Sequence, residues 1–93
     1  MNYFVYILGS HKNSQFKTYV GYTNDLKRRL NKHNKGKGAK STRGRVWKVI
    51  YSEKYNTKNE AISREYYIKK NRKFRNLIKK NLNEKKLSNT LTL

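Results

Sequence analysis

The stretch Thr18–Asn34 constrains the fold more than any other, because a strand passes almost directly into a helix there. Tyr19, Val20 and Tyr22 are strand formers. Thr23, Asn24 and Asp25 then offer three candidate caps in succession, after which Leu26 and Leu30 recur at i, i+4. Spacings of three and four place Leu26, Arg29, Leu30 and His33 on one helical face. Two leucines suffice to dock such a helix. An arginine and a histidine travelling inward with them need a further explanation.

The flanking segments suggest what the helix docks against. Residues 2–8 are almost wholly β-branched, aromatic or leucine, the pattern of a strand covered on both faces. Gly9–Lys17 is polar and rich in turn formers, so it reads as a hairpin loop leading into a second, antiparallel strand at Thr18–Tyr22. The first helix covers Asp25–Asn34, and Lys35–Arg45 is a loop carrying three glycines and five basic residues. A third strand follows at Val46–Ser52, with Trp47, Val49 and Tyr51 alternating against Lys48 and Ile50.

Thr57 and Glu60 form a capping box that starts a second helix, which runs to about Asn71. Its apolar stripe takes in Ala61, Ile62 and Ile68. A further helical piece at Lys73–Asn81 is anchored by Phe74, Leu77 and Ile78. The order predicts an α+β domain: a small three-stranded antiparallel sheet flanked by helices, over residues 1–81. Residues 82–93 read as a polar C-terminal tail, expected to be frayed.

Charge narrows the partners. There are 24 Lys and Arg against 5 Asp and Glu, a net +19, and self-repulsion of that size calls for a polyanion. Nucleic acid is the leading candidate, DNA foremost. A membrane surface fits less well, because no stretch approaches a spanning length and no helix is basic on one side and apolar on the other. Without cysteine there are no disulfides, thiolate metal sites or cysteine nucleophiles. The N-terminus resembles no signal peptide, which makes a cytoplasmic location the default expectation. A single small domain without a targeting module leaves room for a protein partner that supplies targeting.

Few residues could carry chemistry. Glu65 lies on the apolar stripe of the second helix, where an unpaired carboxylate is costly. It is either a structural partner for an inward arginine such as Arg29 or a ligand for a hard metal ion completed by water and phosphate. Arg29 is either a surface charge or a clamp on a phosphate group; its neighbour Arg28 points elsewhere and reads as surface. His33 is either a satisfied histidine at a helix end or a proton shuttle, and His11 is a solvated loop residue. The Gly-Lys-Gly-Ala-Lys-Ser-Thr segment lacks the spacing of a P-loop. Lys37, Lys40, Arg43 and Arg45 are then either plain solvated charge or sequence-neutral grips on a phosphate backbone.

Tyrosines, one arginine, one histidine and one glutamate in this order resemble the GIY-YIG nuclease family. Its two name-giving triplets correspond to Phe4-Val5-Tyr6 and Tyr19-Val20-Gly21, the first having lost its glycine. The resemblance continues through Thr-Asn-Asp-Leu-Lys-Arg-Arg-Leu, the Gly-Ala-Lys-Ser-Thr-Arg loop and Glu-Ala-Ile-Ser-Arg-Glu, covering roughly residues 2–80. The nearest likeness is to the small stand-alone bacterial members. It implies Tyr19 as the general base or a close helper, Tyr6 near the scissile phosphate, and Arg29 against the developing negative charge. It also implies His33 on the next helical turn and Glu65 as sole protein ligand to a single Mg²⁺ or Mn²⁺ ion. Excision-repair members carry a lysine where this chain has Tyr22, so the identity of the base stays open.

The favoured expectation is a metal-dependent endonuclease that hydrolyses the DNA backbone with low sequence specificity. The rival is a non-catalytic nucleic-acid-binding protein, DNA- or RNA/ribosome-associated, on the same scaffold. Charge suits both. The inward set Tyr6, Tyr19, Arg29, His33 and Glu65 separates them, because a pure binder has no need of it.

Overall fold

The computed structural model describes residues 2–92, and the side chains only as far as Leu82. In chain order the elements are β1 (Tyr3–Lys12), β2 (Gln15–Thr23), α1 (Leu26–Asn34), a 3-10 turn (Lys40–Thr42), β3 (Lys48–Tyr55), α2 (Lys58–Lys70) and α3 (Arg72–Thr92). The strands form one antiparallel sheet in the order β2-β1-β3. The expected α+β architecture is the one observed. The polar tail expected at residues 82–93 falls on the outer part of α3 and Leu93, and its side chains beyond Leu82 lie outside the described residues.

β1 is central and covered on both sides, which accounts for its unbroken apolar run. Val5 and Ile7 face α2 and α3, where they pack with Val20, Ala61 and Ile68. Tyr6 and Leu8 face α1, where they pack with Trp47 and the half-buried Tyr19, Leu26, Leu30 and Val49. The docking role read for the two leucines of α1 is therefore met.

The strands depart from the sequence reading in several places. The segment Gly9–Lys17 is mostly strand, and the hairpin closes through only Asn13 and Ser14. Both have positive φ, +53° and +67°, the pairing of a type I′ turn, whose twist matches the flanking strands. β3 pairs with β1 through a bulge, because Ile7 lies opposite Tyr51 while Leu8 lies opposite Val49. Ile50 is the extra residue. The bulge splits the expected alternation, leaving Trp47 and Val49 toward α1 while Ile50 and Tyr51 join the opposite core. β3 also continues past Ser52 to Tyr55.

Asp25 caps α1 by accepting from the Arg28 N–H at 3.1 Å, and Thr57 caps α2 by accepting from the Glu60 N–H at 3.2 Å. Ala61 and Ile68 are the buried positions of α2, whereas Ile62 is exposed and so not part of its inward stripe. On α3, Phe74 and Ile78 pack inward but Leu77 is exposed. Asn71 ends α2 and caps α3 through the Phe74 N–H at 3.0 Å. No helix is long and apolar enough, among the described residues, to cross a membrane.

Candidate active site

Tyr6 projects from the central strand toward α1 and is 1% exposed. Its cross-strand partner is Gly21. A Cβ at Gly21 would lie 2.5 Å from the Tyr6 hydroxyl and 2.7 Å from the carbon bearing it. The glycine of the Tyr-Val-Gly triplet is there because the Tyr6 ring lies across its backbone.

The Tyr6 hydroxyl is 2.9 Å from His33 Nε2. His33, in the last turn of α1, is fully buried, and its Nδ1 is 3.0 Å from Thr42 Oγ1. Tyr19 stands beside the imidazole with ring centroids 4.8 Å apart. Burial pushes the Tyr6 phenol up to about 12 and the His33 imidazole down, the latter helped by the Arg29 charge. Tyr6 is therefore a phenol and His33 is held toward its neutral form.

Arg29 is half-buried while Arg28 beside it is exposed, as the helical phase requires. Its Nε is buried without a hydrogen-bond partner. The Tyr6 phenol beside it raises the guanidinium above its ordinary value. Glu65 approaches from α2, and its Oε1 pairs with Lys69 Nζ at 3.1 Å, one helical turn on. The structural alternative, an ion pair from Glu65 to Arg29, is not the pairing that forms.

Among the described residues the Arg–Glu bridge lies elsewhere and is half-buried. Glu53 accepts from Arg64 Nε at 2.8 Å and Nη2 at 3.0 Å, from the Tyr55 hydroxyl at 2.6 Å, and from the Tyr51 hydroxyl. Burial alone would raise the Glu53 carboxyl, but Arg64 and the two phenols reverse this and hold it at about 2.

Tyr6, Tyr19, Arg29 and Glu65 line a single cleft of about 390 Å³ between α1, β2 and α2. His33 stands behind this wall and reaches it through the Tyr6 hydroxyl. Tyr22 also lines the cleft, as do Lys58 and Tyr3, which were not singled out from the sequence. Lys58 could have been found, since it lies two helical turns before Glu65 on the same face. Of the loop cations, Lys37, Lys40 and Arg43 are exposed. Arg45 is tied down instead, donating to Ser10 Oγ at 3.2 Å, the Ser10 carbonyl at 3.0 Å and the Gln15 carbonyl at 3.1 Å. His11 lies on β1 rather than in a loop, exposed, with its ring against Phe16.

Residues 2–83 match the family model of the GIY-YIG catalytic domain. The UPF0213 protein CPE1444 of Clostridium perfringens is 44% identical over the full length of both chains. The UPF0213 protein YazA of Bacillus subtilis is 47% identical over 74% of this chain and 68% of its own. The solution structure of the UPF0213 protein BH0048 from Bacillus halodurans is 40% identical, covers 84% of this chain and 82% of its own, and superposes with a TM-score of 0.47. On the family-model match, which spans most of its length, the chain belongs to the GIY-YIG family.

Proposed function

We propose that this protein is a divalent-metal-dependent endonuclease that hydrolyses the DNA backbone with low sequence specificity. The observation that carries the reading is convergence: β1, β2, α1 and α2 each deliver one polar side chain, Tyr6, Tyr19, Arg29 and Glu65, to the same cleft. A protein that only binds nucleic acid does not require that assembly. The +19 charge draws a polyanion toward it, with Lys37, Lys40 and Arg43 exposed to grip phosphates. The polar cleft groups suit phosphate rather than base edges, which is the basis for low specificity.

The donor set fits a single divalent ion. Glu65 is a hard carboxylate ligand, 17% exposed, with one oxygen engaged by a half-exposed lysine. Glu65 is the one carboxylate among the residues lining the cleft, so it would be the ion's one carboxylate ligand, with water and phosphate completing the shell. When bound, Mg²⁺ or Mn²⁺ would stabilise charge on the departing oxygen.

The remaining residues divide the work. Arg29, which lines the cleft, meets the negative charge that grows on the phosphoryl oxygens. Tyr6 takes the proton of the attacking water as its own passes to His33 Nε2; the resulting hydroxide forms the new P–O bond and the ester P–O bond breaks. The acceptor behind its hydroxyl favours Tyr6 for this relay, and leaves Tyr19 the helper's part.

The test is nicking of supercoiled plasmid with Mg²⁺ or Mn²⁺ by the wild type and Glu65→Ala, with an EDTA control. Metal-dependent nicking lost in Glu65→Ala supports the assignment. Tight, salt-sensitive DNA binding without cleavage by either protein favours the non-catalytic reading. Equal nicking by both removes Glu65 from the site.

A further inference from the structure

The Gly38–Thr42 segment, read from sequence only as part of a phosphate-gripping loop, forms the back wall of the imidazole. Thr42 is fully buried on the 3-10 turn. Its Oγ1 lies 2.8 Å from the Ala39 carbonyl and 3.0 Å from His33 Nδ1. A carbonyl can only accept, so the single hydroxyl proton goes to Ala39. Thr42 Oγ1 must then accept from His33, and Nδ1 must carry the ring proton. A neutral imidazole has one N–H. Nε2 is therefore bare, and the Tyr6 hydroxyl donates to it. The donor count assigns one direction to the whole chain: Tyr6 to His33, His33 to Thr42, Thr42 to Ala39.

The opposite tautomer would break one of these contacts and reverse the other two. Thr42 would have to turn its proton from Ala39 to Nδ1, and Tyr6 would have to accept from Nε2–H and point its proton toward the cleft. Three further contacts hold the seat in place. A Cβ at Gly38 would lie 2.3 Å from His33 Nδ1, so only a glycine lets the loop close over the ring. Trp47 Nε1 donates to the Thr42 carbonyl at 2.8 Å. The Asn34 side chain clasps the Trp47 backbone on both sides, accepting from its N–H at 2.6 Å and donating to its carbonyl at 3.2 Å.

We infer that Thr42 is a positioning residue, seating His33 in its Nδ1–H tautomer so that Nε2 faces Tyr6 as the proton acceptor. The inference deepens the nuclease reading and rests on it for its catalytic meaning. Thr42 remains an acceptor after the transfer, because imidazolium carries a proton on Nδ1 as well. The proton leaves Tyr6 Oη and arrives on His33 Nε2, while the water proton replaces it on Tyr6 and hydroxide adds to phosphorus. Nothing behind the ring has to turn over, and the site is organised before the reaction begins.

The test is the ¹⁵N pattern of the His33 ring, read by long-range ¹H–¹⁵N NMR in the wild type, Thr42→Val and Thr42→Ser. His11, the other histidine, is removed from the spectra by His11→Gln in every sample. The expected wild-type pattern is a protonated Nδ1 and an unprotonated Nε2. Thr42→Val keeps the side-chain shape without the acceptor and is expected to shift the ring toward Nε2–H, whereas Thr42→Ser keeps the wild-type pattern. Single-turnover nicking should slow about 10- to 100-fold in Thr42→Val with DNA affinity unchanged, and recover in Thr42→Ser. An Nε2–H pattern in the wild type overturns the inference, as does a Thr42→Val protein with wild-type pattern and rate. Should Thr42→Val not fold, the wild-type spectrum decides the tautomer, and loss of rate in a folded Thr42→Ser protein overturns the role. The expected spectra without nicking by the wild type would support the seat and overturn the nuclease reading.

Discussion

Tyr6 Oη and His33 Nε2 lie 2.9 Å apart, one on the central strand and one in the last turn of α1, and both rings are buried. The pair links two elements 27 residues apart and gives the phenol a destination for its proton. Tyr6→Phe should therefore abolish the relay while the ring still fills its space. Nicking is expected to fall by about 100-fold or more. Stability should drop by about 1–2 kcal/mol, because His33 loses a buried partner. Urea unfolding and plasmid nicking on the same preparations check both, and a fully active Tyr6→Phe would move the relay to Tyr19.

His33 must be neutral to accept that proton. Burial and the Arg29 charge hold it below its ordinary 6.5, so the acid limb of the single-turnover rate should lie below pH 6.5. The same shift contributes to folding. The folded chain resists protonation more than the unfolded one, so this stability is intact above pH 6.5 and is lost as pH falls through the folded value. Rates and urea midpoints measured between about pH 5 and 8 test the sign. An acid limb centred above 6.5 would contradict it.

Gly21→Ala places a methyl 2.5 Å from the Tyr6 hydroxyl. The ring must move, and its bond to His33 with it. A destabilisation of about 1–3 kcal/mol is expected, together with loss of nicking. The control is Gly36→Asn, at a glycine with φ +75° and open space around it. Asparagine tolerates that conformation, so the control should change little.

Glu53 and Arg64 serve stability rather than the cleft. Arg64→Ala leaves a half-buried carboxylate facing two phenols and should cost about 1–3 kcal/mol. The Glu53 carboxyl sits at about 2 against an ordinary 4.5. Its contribution is complete above pH 4.5 and disappears as pH falls through about 2. Acid titration followed by circular dichroism should show the wild type outlasting Arg64→Ala. Coincident acid transitions would show that the bridge contributes nothing.

The strand cores, the capped helices and the inward arginine–histidine face were legible because each is a local pattern. Periodicity places Arg29 and His33 together whatever they touch, and Thr57 and Glu60 mark a helix start within one turn. The hairpin was not legible in the same way, since His11, Lys12, Gln15 and Lys17 look like loop residues until their partners across the strand are known. The β3 bulge was hidden because Trp47, Val49 and Tyr51 keep a period of two, and the apolar Ile50 that interrupts the alternation is equally at home in a strand covered on both faces. Glu53 falls just past the third strand as read from the sequence; its partners come from α2 and from either side on its own strand. Thr42 carries no signal at all beyond its loop. Its importance is a matter of which atom its one proton points to, and only the folded geometry sets that.

The turn at Asn13–Ser14 lies at the far end of the hairpin from the cleft, yet it dictates what the cleft contains. Side chains alternate along a strand, so one residue inserted at that tip, if absorbed by sliding β2 past β1, would bring Val20 or Tyr22 opposite Tyr6 in place of Gly21. No atom of the site would be altered, but the ring would lose the bare backbone on which it lies. Length at the hairpin tip is thus a determinant of the cleft in its own right, separate from whichever residues tolerate the positive φ that the turn requires.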